Sequence, residues 1–289
     1  MLYPISILLP LYIYPLPLAW NWLLTTIPLY PSITYTLVIN PSTGPGALDS
    51  FPDPSYIDAI ASLNAFGNVQ LLGYVDTAYM HRSVEDVVAE VETCMYFSSH
   101  SLYLDLESQV FQFVHLLLRH SQPENQTYTH TYILLSTLDN HWQTNPSKDI
   151  HMHGIFFDDC VSNWNASTSR FMSTIATSAH QANLTVTFNP GVIADPAFFA
   201  LADNILMIED TYNASKALPS IDSIPTNQRS KSSVIFHHFT SSASNQSTFV
   251  EEILQKGINS LYITTKDYVS QSDLWTQFNA AISAGTSLT

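Results

Sequence analysis

The sequence predicts an α/β fold, a single-domain (β/α)8 TIM barrel, on three observations. Eight short apolar segments alternate with helix-like ones along 289 residues, the rhythm of a closed parallel barrel. The segment Gly154-Ile155-Phe156-Phe157 runs straight into Asp158-Asp159. A strand buried on both faces reads as a continuous apolar run, and two acids at its end are costly to desolvate for packing alone. No Gly-rich phosphate fingerprint follows a strand: Gly44-Pro45-Gly46 lacks a third glycine and opens no strong helix, which disfavours an open nucleotide-binding sheet.

Taken in order, Ile5–Tyr14 is the first strand, followed by the Pro- and Trp-rich loop Pro15–Leu24. Met1–Trp20 is apolar, yet it has no basic n-region or small-residue cleavage site and carries four prolines. It is therefore read as part of the domain, neither a leader nor a membrane span. Tyr35–Asn40 is strand two and leads into a loop of turn formers, Pro41 to Gly46. Asp53–Asn64 is helical, with Tyr56, Ile57, Ile60 and Leu63 on one face. Val69–Val75 is strand three, ending at Asp76, and Val84–Tyr96 is a helix with Val87, Val88, Val91 and Met95 as its stripe.

Gly154–Phe157 is strand four and Thr168–Ala182 the helix after it. Leu184–Phe188, Ile205–Ile208, Val234–Phe236 and Ser260–Ile263 are strands five to eight, with helices at Phe249–Lys256 and Leu274–Ser283. Residues 96–141 break the rhythm, where a barrel connection ordinarily takes ~2–6 residues. They are read as an insertion peripheral to function.

Composition narrows the partners. A net charge of −15, with 9 Lys+Arg, argues against nucleic acid and against an anionic membrane surface. Five N-x-Ser/Thr sequons, at Asn125, Asn165, Asn183, Asn213 and Asn245, favour a secreted or cell-wall protein, although no export signal is visible. Cys94 and Cys160 allow at most one disulfide. A monomer is expected.

Chemistry in a barrel sits at the strand C-termini. Gathered there are Tyr12, Tyr14, Asn40, Asp76, Asp158, Asp159, Asn189, Glu209, Asp210, His237 and Lys266. Acids after strands four and six can flank one bond, as glycoside hydrolysis requires: one protonates the leaving oxygen, and the other attacks the sugar or activates water. Tyr12, Trp20, Trp22, Tyr74, Tyr79, Trp164 and Tyr212 are candidate sugar platforms, with core or loop packing as the alternative for each. Asp158 or Asp159 could instead cap the next helix. His151-x-His153 and His237-His238 lack a spaced third ligand, so no metal is expected. Lys266 has no phosphate loop to support Schiff-base chemistry, and no serine elbow exists. No cofactor is called for.

Four stretches carry a resemblance: Leu8-Leu9-Pro10-Leu11-Tyr12-Ile13-Tyr14-Pro15, Val38 to Gly46, Gly73-Tyr74-Val75-Asp76-Thr77-Ala78-Tyr79 with Arg82, and Gly154 to Asp159. Together they resemble the spherulin-4, or spherulation-specific family 4, proteins of fungi and slime moulds. The resemblance implies a (β/α)8 hydrolase of α-1,4-linked galactosamine or N-acetylgalactosamine polysaccharide. It implies catalytic roles for Asp158, Asp159 and Glu209. From their places at the strand ends and their aromatic or polar character, Tyr12, Tyr14, Asn40, Tyr74, Asp76, Asn189, Tyr212 and His237 are expected in contact with substrate. The family's adjacent pair is often Asp-Glu, whereas this chain has Asp-Asp, so Glu209 and Asp158 are expected to be the principal acids. The alternative is a non-catalytic carbohydrate-binding or wall-structural protein on the same barrel.

Overall fold

The computed structural model describes residues 5–46, 53–94 and 148–286. The expected insertion at 96–141 lies outside the described residues. The strands are β1 (Ser6–Leu11), β2 (Thr34–Ile39), β3 (Val69–Asp76), β4 (Gly154–Asp158), β5 (Thr185–Phe188), β6 (Asn204–Thr211), β7 (Ser232–His237) and β8 (Ser260–Ile263). They close into a barrel in sequence order, every pair parallel. The described helices are α1 (Asn21–Thr26), α2 (Pro54–Asn64), α3 (84–94), α4 (Ala166–Gln181), α5 (Ala217–Asp222), α6 (Ala243–Gln255) and α7 (Trp275–Thr286).

The apolar runs that predict the strands are buried as they should be. Ile7, Leu71, Val75, Ile155, Phe157, Val186, Ile205, Val234 and Leu261 are all fully buried. Three departures bear on the site. First, β1 stops at Leu11, so Tyr12 leaves the sheet, and its backbone N–H donates to the Tyr268 carbonyl at 3.2 Å. Second, β6 runs on to Thr211 with a register shift between Leu206 and Ile208. Third, a 3-10 turn at Pro196–Ala200, capped by Asp195, stands between β5 and β6 in place of an α-helix. The six-residue helices α1 and α5 are too short to show a periodic stripe in the sequence.

Two contacts lock the barrel. The Tyr35 hydroxyl donates to Asn279 Oδ1 at 2.6 Å, tying β2 to α7 across 244 residues of chain. Gly154 lies in register with Leu72 and Thr185. A Cβ there would meet the Thr185 carbonyl oxygen at 2.6 Å and Leu72 Cδ2 at 2.9 Å. Backbone cannot step aside as a side chain can. Gly154→Ala is therefore expected to destabilise the fold by at least ~1–3 kcal/mol, read as a lower denaturant midpoint. Cys94 and Cys160 are buried free thiols.

Candidate active site

At the C-terminal rim, the pairing of β3 with β4 sets Tyr74 opposite Phe156 and Asp76 opposite Asp158. Side chains two apart on a strand share a face, so Tyr74 and Asp158 point the same way. The Tyr74 hydroxyl donates to Asp158 Oδ2 at 2.7 Å. The other Asp158 oxygen accepts from Asn189 Nδ2 at 2.6 Å, and the same Nδ2 donates to Glu209 Oε2 at 2.7 Å. Asn189 is held in that orientation because its Oδ1 accepts from the Gly191 N–H at 2.9 Å. Glu209 Oε1 accepts from the Tyr268 hydroxyl at 2.7 Å. Glu209 follows the irregularity in β6, and such bulges re-aim side chains next to functional sites.

Tyr12 completes the arrangement. Its ring stands edge-on to both Tyr74 and Tyr268, with centroids 5.8 Å apart in each case. The contacts run as a closed circuit from Asp158 through Tyr74, Tyr12 and Tyr268 to Glu209, and back through Asn189. One amide nitrogen bridging both carboxyls holds their facing oxygens within about 5 Å of each other.

Burial pushes the Asp158 carboxyl up to about 6; the Tyr74 hydrogen bond opposes the rise, and Glu209 and Asp159 add to it. In the free protein a proton therefore sits on Asp158 below about pH 6. Burial and the neighbouring carboxylates raise Tyr74 and Tyr268 far enough to keep both hydroxyls as donors. A raised carboxyl stabilises the fold when protonated, and that contribution is lost as pH climbs from the unfolded value of about 4 through about 6. Between pH 5 and pH 8, Asp158 is expected to remove roughly 1–2 kcal/mol of stability. The check is the pH dependence of thermal unfolding: this component should vanish in Asp158→Asn.

Asp159 turns away from the sheet with φ 50°. Its carbonyl accepts from Thr77 Oγ1 and from the Tyr79 N–H, each at 2.7 Å. Opposite it, Ala78, Tyr79 and Met80 take φ of 45°, 51° and 67°, a left-handed turn built without glycine. Such residues cost ~1–2 kcal/mol each. The turn is held by Asp76 Oδ1 accepting from the Ala78 N–H at 2.7 Å and by Met80 and His81 closing on Thr77 and Ala78. Arg82 donates to the Asp76 carbonyl and forms a two-point ion pair with Glu90.

The model of the spherulation-specific family 4 matches residues 6–282. The chain belongs to this family. A 90-residue stretch, 31% of the chain, is 39% identical to spherulin-4 of Physarum polycephalum and spans 25% of that relative's length. The structure also superposes on a crystal structure of Aspergillus clavatus Sph3 in complex with GalNAc. The TM-score is 0.72 at 25% identity, covering 98% of this chain and 99% of the other.

Of the residues that the sequence nominates, Asp158, Glu209, Asn189, Tyr12 and Tyr74 are brought together. His237 lies at their edge, its ring 6.1 Å from Tyr268; burial and His238, 2.6 Å away, hold it below the usual imidazole range. Asp159 lies next to the pair but outside the circuit. Four others are engaged elsewhere. Tyr14 donates to Asp53 at 2.8 Å. Asn40 Oδ1 accepts from the Gly44 N–H at 3.0 Å. Asp76 caps the left-handed turn, and Tyr212 packs on Phe239 and Phe249. Trp20 is buried, and Trp22 stacks edge-on with Trp275 at 4.8 Å.

Tyr268 is the one member of the circuit absent from the sequence reading. It lies in the loop beyond β8, where neither strand alternation nor a turn signal marks it. Lys266 is paired with Asp273 at 2.7 Å. Among the described residues, no group of three or more His, Cys, Asp or Glu side chains is placed to share a metal ion. None of their helices is long and apolar enough to cross a membrane.

Proposed function

We propose that this chain is a glycoside hydrolase acting on α-1,4-linked galactosamine or N-acetylgalactosamine polysaccharide, with Asp158 and Glu209 as its two catalytic carboxyls. The observation that carries the reading is the single Asn189 amide bonded to both acids. Two carboxyls at such close range suit attack on the sugar by one while the other exchanges a proton with the leaving oxygen and then with water. Inverting enzymes need roughly 6.5–9.5 Å between carboxyls to admit a water molecule. The reaction therefore proceeds with retention of the anomeric configuration. Asn189, Tyr74 and Tyr268 hold the pair, and Tyr12 braces both tyrosines.

The substrate class rests on family membership and on the likeness to a protein crystallised with GalNAc. Secretion is part of the same reading. The four sequon asparagines among the described residues, Asn165, Asn183, Asn213 and Asn245, are all exposed. The test is reducing-end release by the purified protein from N-acetylated and de-N-acetylated galactosaminan in parallel. Release from either supports the hydrolase. Binding without release favours a lectin-like protein that retains the cleft.

A further inference from the structure

We infer that Tyr79 is a sugar-stacking platform at the rim of the barrel mouth and that Asp159 is its anchor, a positioning residue and not one of the reacting acids. The inference rests on the hydrolase reading for its substrate but concerns different residues. Tyr79 is 53% exposed, so its ring is not packed into the core and is open to a ligand. It stands at the centre of the left-handed turn, with φ 51° and ψ 38°, a conformation that tyrosine rarely takes. Two loops hold it there. The Tyr79 N–H donates to the Asp159 carbonyl at 2.7 Å, and Thr77 Oγ1 clamps the Asp158 and Asp159 carbonyls at 3.0 and 2.7 Å.

Asp159 above all, then burial and the charges of Asp158 and Glu209, push the Tyr79 hydroxyl up to about 12, so the polar end of the ring lies near Asp159. Asp159 thus holds Tyr79 through its backbone carbonyl, with its carboxylate close to the ring's hydroxyl. Its carboxylate has no hydrogen bond to Asn189, Tyr74 or Tyr268, the groups that hold the other two acids. An exposed ring held on the same rim, one residue from Asp158 through its bond to Asp159, is an arrangement that can receive the apolar face of a hexose next to the scissile bond.

The experiment measures KM and kcat on the polysaccharide. It also measures the affinity of an α-1,4-linked N-acetylgalactosamine oligosaccharide by calorimetry in the Glu209→Gln background. Tyr79→Asn removes the ring while tolerating the left-handed backbone. It is expected to raise KM and weaken oligosaccharide binding ~10-fold, with kcat falling far less. Tyr79→Phe keeps the ring and should restore most of the affinity. Asp159→Asn should follow Tyr79→Asn in direction, with the smaller effect. Equal affinity in Tyr79→Asn and the unsubstituted background, or no affinity in that background, overturns the assignment. So does a loss of kcat in Asp159→Asn as deep as that in Asp158→Asn. Oligosaccharide binding that depends on Tyr79 while the unsubstituted protein releases no product would sink the hydrolase reading and leave the platform standing.

Discussion

Asp158→Asn and Glu209→Gln should each lower kcat by ~10³-fold or more, since one removes the positioned acid–base group, which contributes ~10²–10⁴-fold, and the other removes the attacking carboxylate. Each substitution is nearly isosteric. Each also replaces one of two accepting oxygens with an NH2 that donates, so either the neighbouring tyrosine or Asn189 loses its acceptor. The damage stays local, because neither side chain holds the sheet together. Unfolding at pH 7 should remain near wild type in Glu209→Gln. In Asp158→Asn it should not fall far, because the substitution also removes a carboxylate that is unfavourable to bury when charged. A double variant should be little worse than either single one, as for residues that act as a unit. Steady-state turnover with thermal unfolding alongside checks all three statements. Normal kcat in either single variant would end the assignment of that residue.

Asn189→Asp is the second large effect. The replacement keeps the oxygen that accepts from Gly191 and so keeps the loop. It removes the nitrogen that donates to both acids and sets a third carboxylate between them. Hydrogen bonds to charged groups contribute ~1.5–3 kcal/mol each, and like charges at this range disfavour ionisation. The expected result is a kcat at least ~100-fold lower. The pH limb that reports loss of the pair's proton should move upward from about 6. A pH–rate profile decides it. A profile unchanged in position with only a modest drop in rate would mean that Asn189 merely packs between the acids.

Much of this was legible in the chain. The strands declare themselves because residues such as Ile155, Phe156 and Phe157 are buried on both sides of the sheet and leave no room for polar alternation. Asp158 and Glu209 stand out because acids at the ends of such runs have no packing purpose. The remainder depends on what a side chain meets, which position along a strand does not reveal. Asp76 and Asn40 sit at strand ends as Asp158 and Asn189 do, yet their oxygens are taken by the N–H groups of Ala78 and Gly44. Tyr268 reaches Glu209 from a loop that carries no periodic signal. The turn at Ala78–Met80 is left-handed without a glycine to announce it, so Tyr79 reads in the sequence as one aromatic among many.

The central claim is that Asp158 and Glu209, held at close range by Asn189, act together on one glycosidic bond. Proton NMR of the first product formed from an α-1,4-linked N-acetylgalactosamine polymer tests it most directly. Retention predicts that the α-anomer of the new reducing end appears first and then mutarotates. A β-anomer formed first would contradict the close-pair geometry, and a polymer bound without any new reducing end would contradict catalysis itself.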